Sequence, residues 1–223
     1  MIDWHGLRTD IADLVLARAC AGCDDPGSVL CAACWAHLTR GIVHHELPDG
    51  STAVAATQYL GIGKSIVLAH KEHGWHALTP MLGTLLARAV TAVTAEPVTL
   101  VPIPSHAYSL ARRGTDPLAD IVGHAARALR LIGQPASRAP LLMRTRDTGA
   151  LKELGREQRR QAVKSAFAVS RSRVRRLDQV IVVDDVITTG TTIAEAQRAL
   201  EFGGVDVRGA AAVASTPLLG GRR

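Results

Sequence analysis

The sequence predicts an α/β fold: a parallel-centred sheet flanked by helices, with a small cysteine-bearing segment in front of it. Three observations point there. Residues 180–183, VIVV, form an unbroken apolar β-branched run, the pattern of a strand buried on both faces. Runs of this kind are separated by stretches with helical apolar periodicity, and such alternation asks for a parallel sheet. Aromatic residues make up only 3% of a chain that is 47% hydrophobic, so the core is one of Ala, Val and Leu, which suits packed helices and strands more than a β-sandwich. At 223 residues there is room for one sizeable domain and a small appendage.

Taken in order, residues 7–18 read as a short amphipathic helix, with Leu7, Ile11, Leu14 and Val15 on one stripe. Cys20, Cys23, Cys31 and Cys34 follow as two C-x-x-C knuckles separated by the turn-rich segment DDPGSVL. Two such knuckles can place four thiolates tetrahedrally around Zn²⁺. This favours a structural zinc over a redox pair or incidental thiols. Residues 41–50 read as a linker ending in Pro48-Asp49-Gly50. The expected division is therefore a zinc-finger-like segment, with its preceding helix, over 1–45 and the main domain over 46–223.

The main domain opens with TAVAATQYL as a strand. Gly61, Gly63, Lys64 and Ser65 imitate the end of a phosphate-binding P-loop, but Gln58 stands where that loop needs glycine, so the assignment fails. Residues 64–73 and 76–93 have helical periodicity. Residues 98–104, VTLVPIP, read as a second buried strand, followed by a loop carrying Arg112 and Arg113. Thr115 or Asp116 can cap the next helix, with Pro117 at its first position, and the helix runs to about Leu131. A short strand is expected near 141–144, then a basic segment whose arginines continue to Arg176.

Residues 179–192, QVIVVDDVITTGTT, organise the rest. The apolar strand is expected to end at Asp184 and Asp185. A turn of Thr188, Thr189, Gly190, Thr191 and Thr192 leads into a helix stopped by Gly203-Gly204. Ligands of open α/β sheets bind beyond the carboxyl ends of the strands. Such a turn aims N–H groups and hydroxyls at one point ahead of a helix N-terminus, which suits phosphate. The carboxylates instead accept hydrogen bonds from hydroxyls or face a hydrated Mg²⁺. A sugar phosphate with a free diol satisfies both halves. A last strand over 205–215, VDVRGAAAVAS, completes the sheet before a loose tail.

The strand, acid pair and Thr-Gly-Thr turn resemble the phosphoribosyl-pyrophosphate (PRPP) motif of type I phosphoribosyltransferases. More of the chain narrows the resemblance: the N-terminal cysteines, Lys71 in a helix after the Tyr59-Leu60-Gly61 strand end, VPIP followed by RRG, and MRTRDTG followed by a basic stretch ending in Ala-Phe. This order is similar to the ComF family of phosphoribosyltransferase-like proteins. The resemblance implies that Asp184 and Asp185 hold the ribose hydroxyls and that Thr188 to Thr192 hold the 5-phosphate. Arg112, Arg113, Lys71 and the VPIPSH loop become candidates for the pyrophosphate side, with Mg²⁺ as the ion that accompanies PRPP. Three segments depart from the family pattern. Thr115-Asp116-Pro117 replaces an aromatic-Asn-Gln run, Leu151 replaces a Gln, and Ala162 replaces an Asn. They remove amide donors and acceptors around the expected site.

Two functions are implied. One is a protein that binds PRPP or a ribose 5-phosphate moiety and, as an enzyme, transfers the phosphoribosyl group. The alternative is a non-catalytic competence or DNA-uptake protein that binds single-stranded DNA and a helicase-like partner through arginines between Arg156 and Arg176. The net charge of +6 invites phosphate-bearing partners, free or polymeric, although a solvated Arg-rich surface also accounts for it. No apolar run approaches the roughly 20 residues that span a bilayer. The N-terminus mixes acids through its apolar residues and lacks a signal-peptide pattern. A reducing, cytoplasmic location is therefore expected.

Overall fold

The computed structural model describes residues 19–105, 116–145, 166–170 and 177–217. Helix α1 (Ala32–Leu38) follows the cysteine knuckle. Strands β1 (Val43–Glu46) and β2 (Thr52–Gln58) come next, then helix α2 (Ile62–His73), a 3₁₀ turn (His76–Leu78) and helix α3 (Thr79–Val93). Strand β3 (Val98–Pro102), helix α4 (Pro117–Leu131) and strand β4 (Ala136–Arg138) form the middle of the chain. Strands β5 (Leu142–Arg144) and β6 (Phe167–Val169) pair antiparallel as a separate ribbon. Strand β7 (Gln179–Ile187), helix α5 (Thr191–Phe202) and strand β8 (Val207–Ser215) close the fold.

Six strands make the main sheet in the order β1-β2-β8-β7-β3-β4. Only β1 runs antiparallel to its neighbour; the β2–β8, β8–β7, β7–β3 and β3–β4 pairs are all parallel. After β3 the chain moves outward to β4, and after β7 it moves the opposite way to β8. A right-handed crossover in each direction places the two connecting helices on opposite faces. The packing agrees. Leu118, Ile121, Val122 and Leu129 of α4 share a core with α2, α3, Leu100, Ile181 and Val183. Ile193, Ala196 and Leu200 of α5 share the other core with Val101, Val180 and Val182. The point where the windings diverge lies between the carboxyl ends of β3 and β7, the crevice where sheets of this kind place a ligand.

Local chemistry explains the helix starts. Asp116 caps α4, its carboxylate accepting from the Leu118 N–H at 3.2 Å, and Pro117 opens the helix where its missing N–H costs nothing. Helix α2 begins pressed against the end of β2. A Cβ on Gly63 would lie 2.2 Å from the Gln58 carbonyl oxygen, so only glycine allows this approach. The cysteine segment belongs to the same body of packing, because Cys20, Leu30, Cys34 and Leu38 join the core built by α2, α3 and α4.

The structure corrects several expectations. Residues 41–50 are not a plain linker, because Val43–Glu46 forms edge strand β1 and spans the expected 45/46 boundary. The helix expected from residue 76 begins as a 3₁₀ turn, and the α-helix itself starts at Thr79. Strands β4 and β6 were not expected; each has three residues, too few to show a period. Strand β7 does not stop at the acids but continues to Ile187, held by pairing of Val186 with Ala214 and of Ile187 with Ser215. The expected helix over 7–18 lies outside the described residues.

Gly63→Ala should lower stability by about 1–3 kcal/mol, because the added methyl overpacks against backbone that cannot move aside cheaply. Gly41→Ala, at a site with open space around the new methyl, should stay within about 0.5 kcal/mol of wild type. Denaturant unfolding of both variants checks the contrast.

Candidate functional site

The site begins where β3 and β7 part. Their ladder runs to the pair Pro102 and Val183, and the last bond is donated by the Ile103 N–H to the Val183 carbonyl at 3.0 Å. Asp184, the next residue, keeps β8 as a neighbour on one side and has no β3 partner on the other. Ile181 and Val183 face the helical layer that includes α2, so the period of two directs Asp185 the same way. There Lys71 of α2 meets it, Nζ donating to Oδ2 at 2.5 Å. The Lys71 side chain is 38% exposed against 14% for Asp185, so the pair is open to solvent on the lysine side.

Asp184 is partly buried, and its Oδ1 accepts the Asp185 N–H at 2.8 Å. Burial, and then the charge of Asp185, push its carboxyl up to about 8. At neutral pH this environment favours the protonated carboxyl, and a cation or hydroxyl donors beside it would favour the carboxylate. Beneath Lys71, His70 is buried with Nε2 2.8 Å from the Thr79 hydroxyl. Burial holds that imidazole near 4 and hence neutral. The contact ties the end of α2 to the start of α3 and fixes the turn that presents Lys71.

The threonine turn is anchored at its start. The Thr216 N–H donates to the Ile187 carbonyl at 2.8 Å, and the Thr216 hydroxyl to the Thr188 carbonyl at 2.9 Å. Thr189 and Thr191 place their hydroxyls 3.1 Å apart. Gly190 takes φ +71°, which favours glycine, and a Cβ there would fall 2.5 Å from the Leu47 side chain. Helix α5 then starts after Gly190 with no side-chain cap.

A cavity of about 450 Å³ joins these parts: Lys71, Asp184, Asp185, Thr188 and Thr192 all line it. Thr189, Gly190 and Thr191 shape the turn without lining the cavity. Arg112 and Arg113 lie outside the described residues, as do Leu151, Ala162 and the arginines of 146–165 and 171–176 on which nucleic-acid binding was expected to rest. Ser105, from the VPIPSH loop, does reach the cavity, held by its hydroxyl donating to Asp116 at 3.0 Å. Sequence reasoning missed Tyr59, Glu72 and Arg144 as wall residues. Arg144 donates from Nε to the Pro104 carbonyl at 2.8 Å and lies 5.1 Å above the Phe167 ring. Its one sequence signal was its place in the MRTRDTG segment.

The four cysteine sulfurs form a separate centre, all within 4.8 Å of one another. A tetrahedral zinc with four thiolates needs sulfurs roughly 3.8 Å apart, and Cys23 and Cys31 stand at 3.7 Å. Burial pushes the Cys20 thiol up, but backbone N–H groups of Cys31, Gly22 and Cys23 outweigh it and bring the thiol down to about 6. Burial and the neighbouring sulfurs push Cys34 up. Such crowding is unfavourable among thiols alone and is relieved by a cation, so the donor set fits zinc. A Cβ on Gly22 would stand 2.8 Å from the Cys34 sulfur, so glycine lets the knuckle close.

No protein-family model matches the chain, and no curated protein matches it. Among solved structures it is similar to glutamine PRPP amidotransferase from B. subtilis complexed with ADP and GMP, at 21% identity over 61% of this chain and 26% of that one, with a TM-score of 0.37. It is similar to the same extent to a structure described as the allosteric regulatory enzyme of purine biosynthesis, again at 21% identity and a TM-score of 0.37, covering 61% of this chain and 25% of that one. The chain spans about a quarter of the length of these structures. No helix among the described residues is long and apolar enough to cross a membrane.

The raised Asp184 carboxyl sets a pH dependence. The unfolded chain releases this proton near 3.8, the folded chain near 8. Between those values the folded state holds more protons, so this group's contribution to stability falls as pH rises through the window. Asp184→Asn should therefore unfold at a higher temperature than wild type at about pH 9 and differ little at about pH 4. Melting curves at both pH values decide it, and a variant less stable than wild type at the higher pH contradicts the assignment.

Proposed function

We propose that the chain binds PRPP or a ribose 5-phosphate moiety together with Mg²⁺, as a ComF-like protein with a type I phosphoribosyltransferase-like domain. The observation that carries this reading is one crevice lined by an acid pair, a lysine and a threonine turn, at the point where the sheet reverses its winding. The turn and the start of α5 offer donors for the 5-phosphate. Asp184 and Asp185 offer acceptors for the two ribose hydroxyls and a negative field for Mg²⁺. Lys71 and Ser105, which line the same crevice, would take the pyrophosphate group.

The reaction such a site serves is transfer of the phosphoribosyl group. Pyrophosphate leaves C1 of the ribose with the electron pair of the C1–O bond, and a nucleophile forms the new bond to C1. Bound Mg²⁺ would spread the charge of the leaving group. This chain's residues would hold the phosphate, orient the diol and neutralise the pyrophosphate. The four cysteines complete the proposal as a structural zinc site: with four sulfur ligands it has no open position for catalysis.

Asp184→Asn and Asp185→Asn should each weaken PRPP binding in Mg²⁺ about ten- to hundredfold, the loss of one charge-assisted hydrogen bond. Thr191→Ala should cost only about 1 kcal/mol, because the backbone N–H groups of the turn remain. Gly190→Val should abolish binding, since the side chain opposes both the backbone angle and the packing of Leu47. Calorimetric titration ranks them. Unchanged affinity in both Asn variants and in Gly190→Val would mean that the 184–192 stretch is structural.

Protein purified without chelator should carry close to one zinc per chain, measured by atomic emission. The quadruple Cys→Ser variant should carry none and should melt at a lower temperature, because Cys20 and Cys34 belong to the main core. A metal-free wild type, or two native disulfides, would refute the zinc assignment.

A further inference from the structure

A second cavity, of about 730 Å³, lies between the segment that joins α2 to α3 and the outer side of α4. It shares no lining residue with the acid crevice: Pro117 and Leu118 face the first cavity, Ala119 and Asp120 the second. Its volume lies within the range that holds small ligands. The chemistry of its wall differs from that of the first. His76, His124, Arg127 and Arg138 all line it, against one carboxylate, Asp120. Among the described residues neither guanidinium has a carboxylate partner.

We propose that this groove is a second binding site, for a small phosphate monoester. Two guanidinium forks and two imidazoles line one concave surface, and the fork geometry of arginine matches the oxygens of a phosphate. Gly123 also lines the groove, and Arg138 lies over it, with Nη1 3.7 Å from where a Cβ would stand. Arg138 also donates to the Ala119 carbonyl at 3.3 Å, which holds it across α4. His76 sets its ring edge-on to buried His70, with centroids 5.9 Å apart, and is fixed from the other wall. Asp120 is the one carboxylate on this wall and opposes an anion there.

The opposing charges give a test with two signs. Inorganic phosphate is titrated into the full chain while the C2–H resonances of His76 and His124 are followed by NMR, each assigned through its His→Asn variant. Both resonances should shift and saturate together. Arg127→Gln and Arg138→Gln should each weaken this binding roughly ten- to hundredfold, the cost of a charged hydrogen bond. Asp120→Asn should strengthen it severalfold. All three positions are exposed, so the variants keep their core. A linear drift without saturation, an affinity indifferent to both arginine changes, or a loss of affinity in Asp120→Asn would each overturn the proposal.

Discussion

The structure depends on where one ladder of hydrogen bonds stops. Strand β3 follows β7 as far as Val183 and then turns away, while β8 accompanies β7 four residues further, to Ile187. Asp184 and Asp185 are thus held in a regular strand on one side and opened on the other. Their backbone is paired to β8 on that one side and both residues line the crevice, the arrangement in which a scaffold presents side chains to a ligand. The same parting of strands sends α4 and α5 to opposite faces, so the crevice has a helix start at either edge: Asp116-Pro117 on one and Gly190-Thr191 on the other.

Much of this was legible because the signals were local. VIVV can bury both faces only inside a parallel sheet, and Asp116-Pro117 and Gly190-Thr191 mark helix starts by their own chemistry. The acids and the turn stood out as a candidate site because their residue types are donors at one end and acceptors at the other, and Asp184, Asp185, Thr188 and Thr192 do line one cavity. The remainder was not local. Strands β4 and β6 have three residues each and exist through pairing with distant partners, Ala136 with Val98 and Phe167 with Arg144. Strand β7 outlasts the acids because β8 supplies partners from Ala212 to Ser215, which no pattern within residues 179–192 announces. Arg144 enters the crevice through a bond to the Pro104 carbonyl, a contact between segments 40 positions apart in the chain.

The cysteine knuckle and the crevice, which sequence reading treated as separate regions, are coupled through α2. Ile62, at the first turn of α2, packs against the knuckle beside Gly22, and nine residues on the same helix presents Lys71 to Asp185. The helix is braced three times: by Gly63 against the end of β2, by His70 against Thr79, and by the knuckle at its start. A metal held by the four cysteines would stiffen the last of these supports. The cysteine segment therefore has a mechanical reason to sit in front of this domain, independent of any partner it could bind.

The most direct measurement is a crystal structure of the protein with ribose 5-phosphate and Mg²⁺. The account predicts the phosphate seated on the 188–192 turn against the first N–H groups of α5, the 2- and 3-hydroxyls on the carboxylates of Asp184 and Asp185, and Lys71 drawn off Asp185. A sugar phosphate bound elsewhere, with the Lys71–Asp185 pair intact and the turn unoccupied, would contradict it.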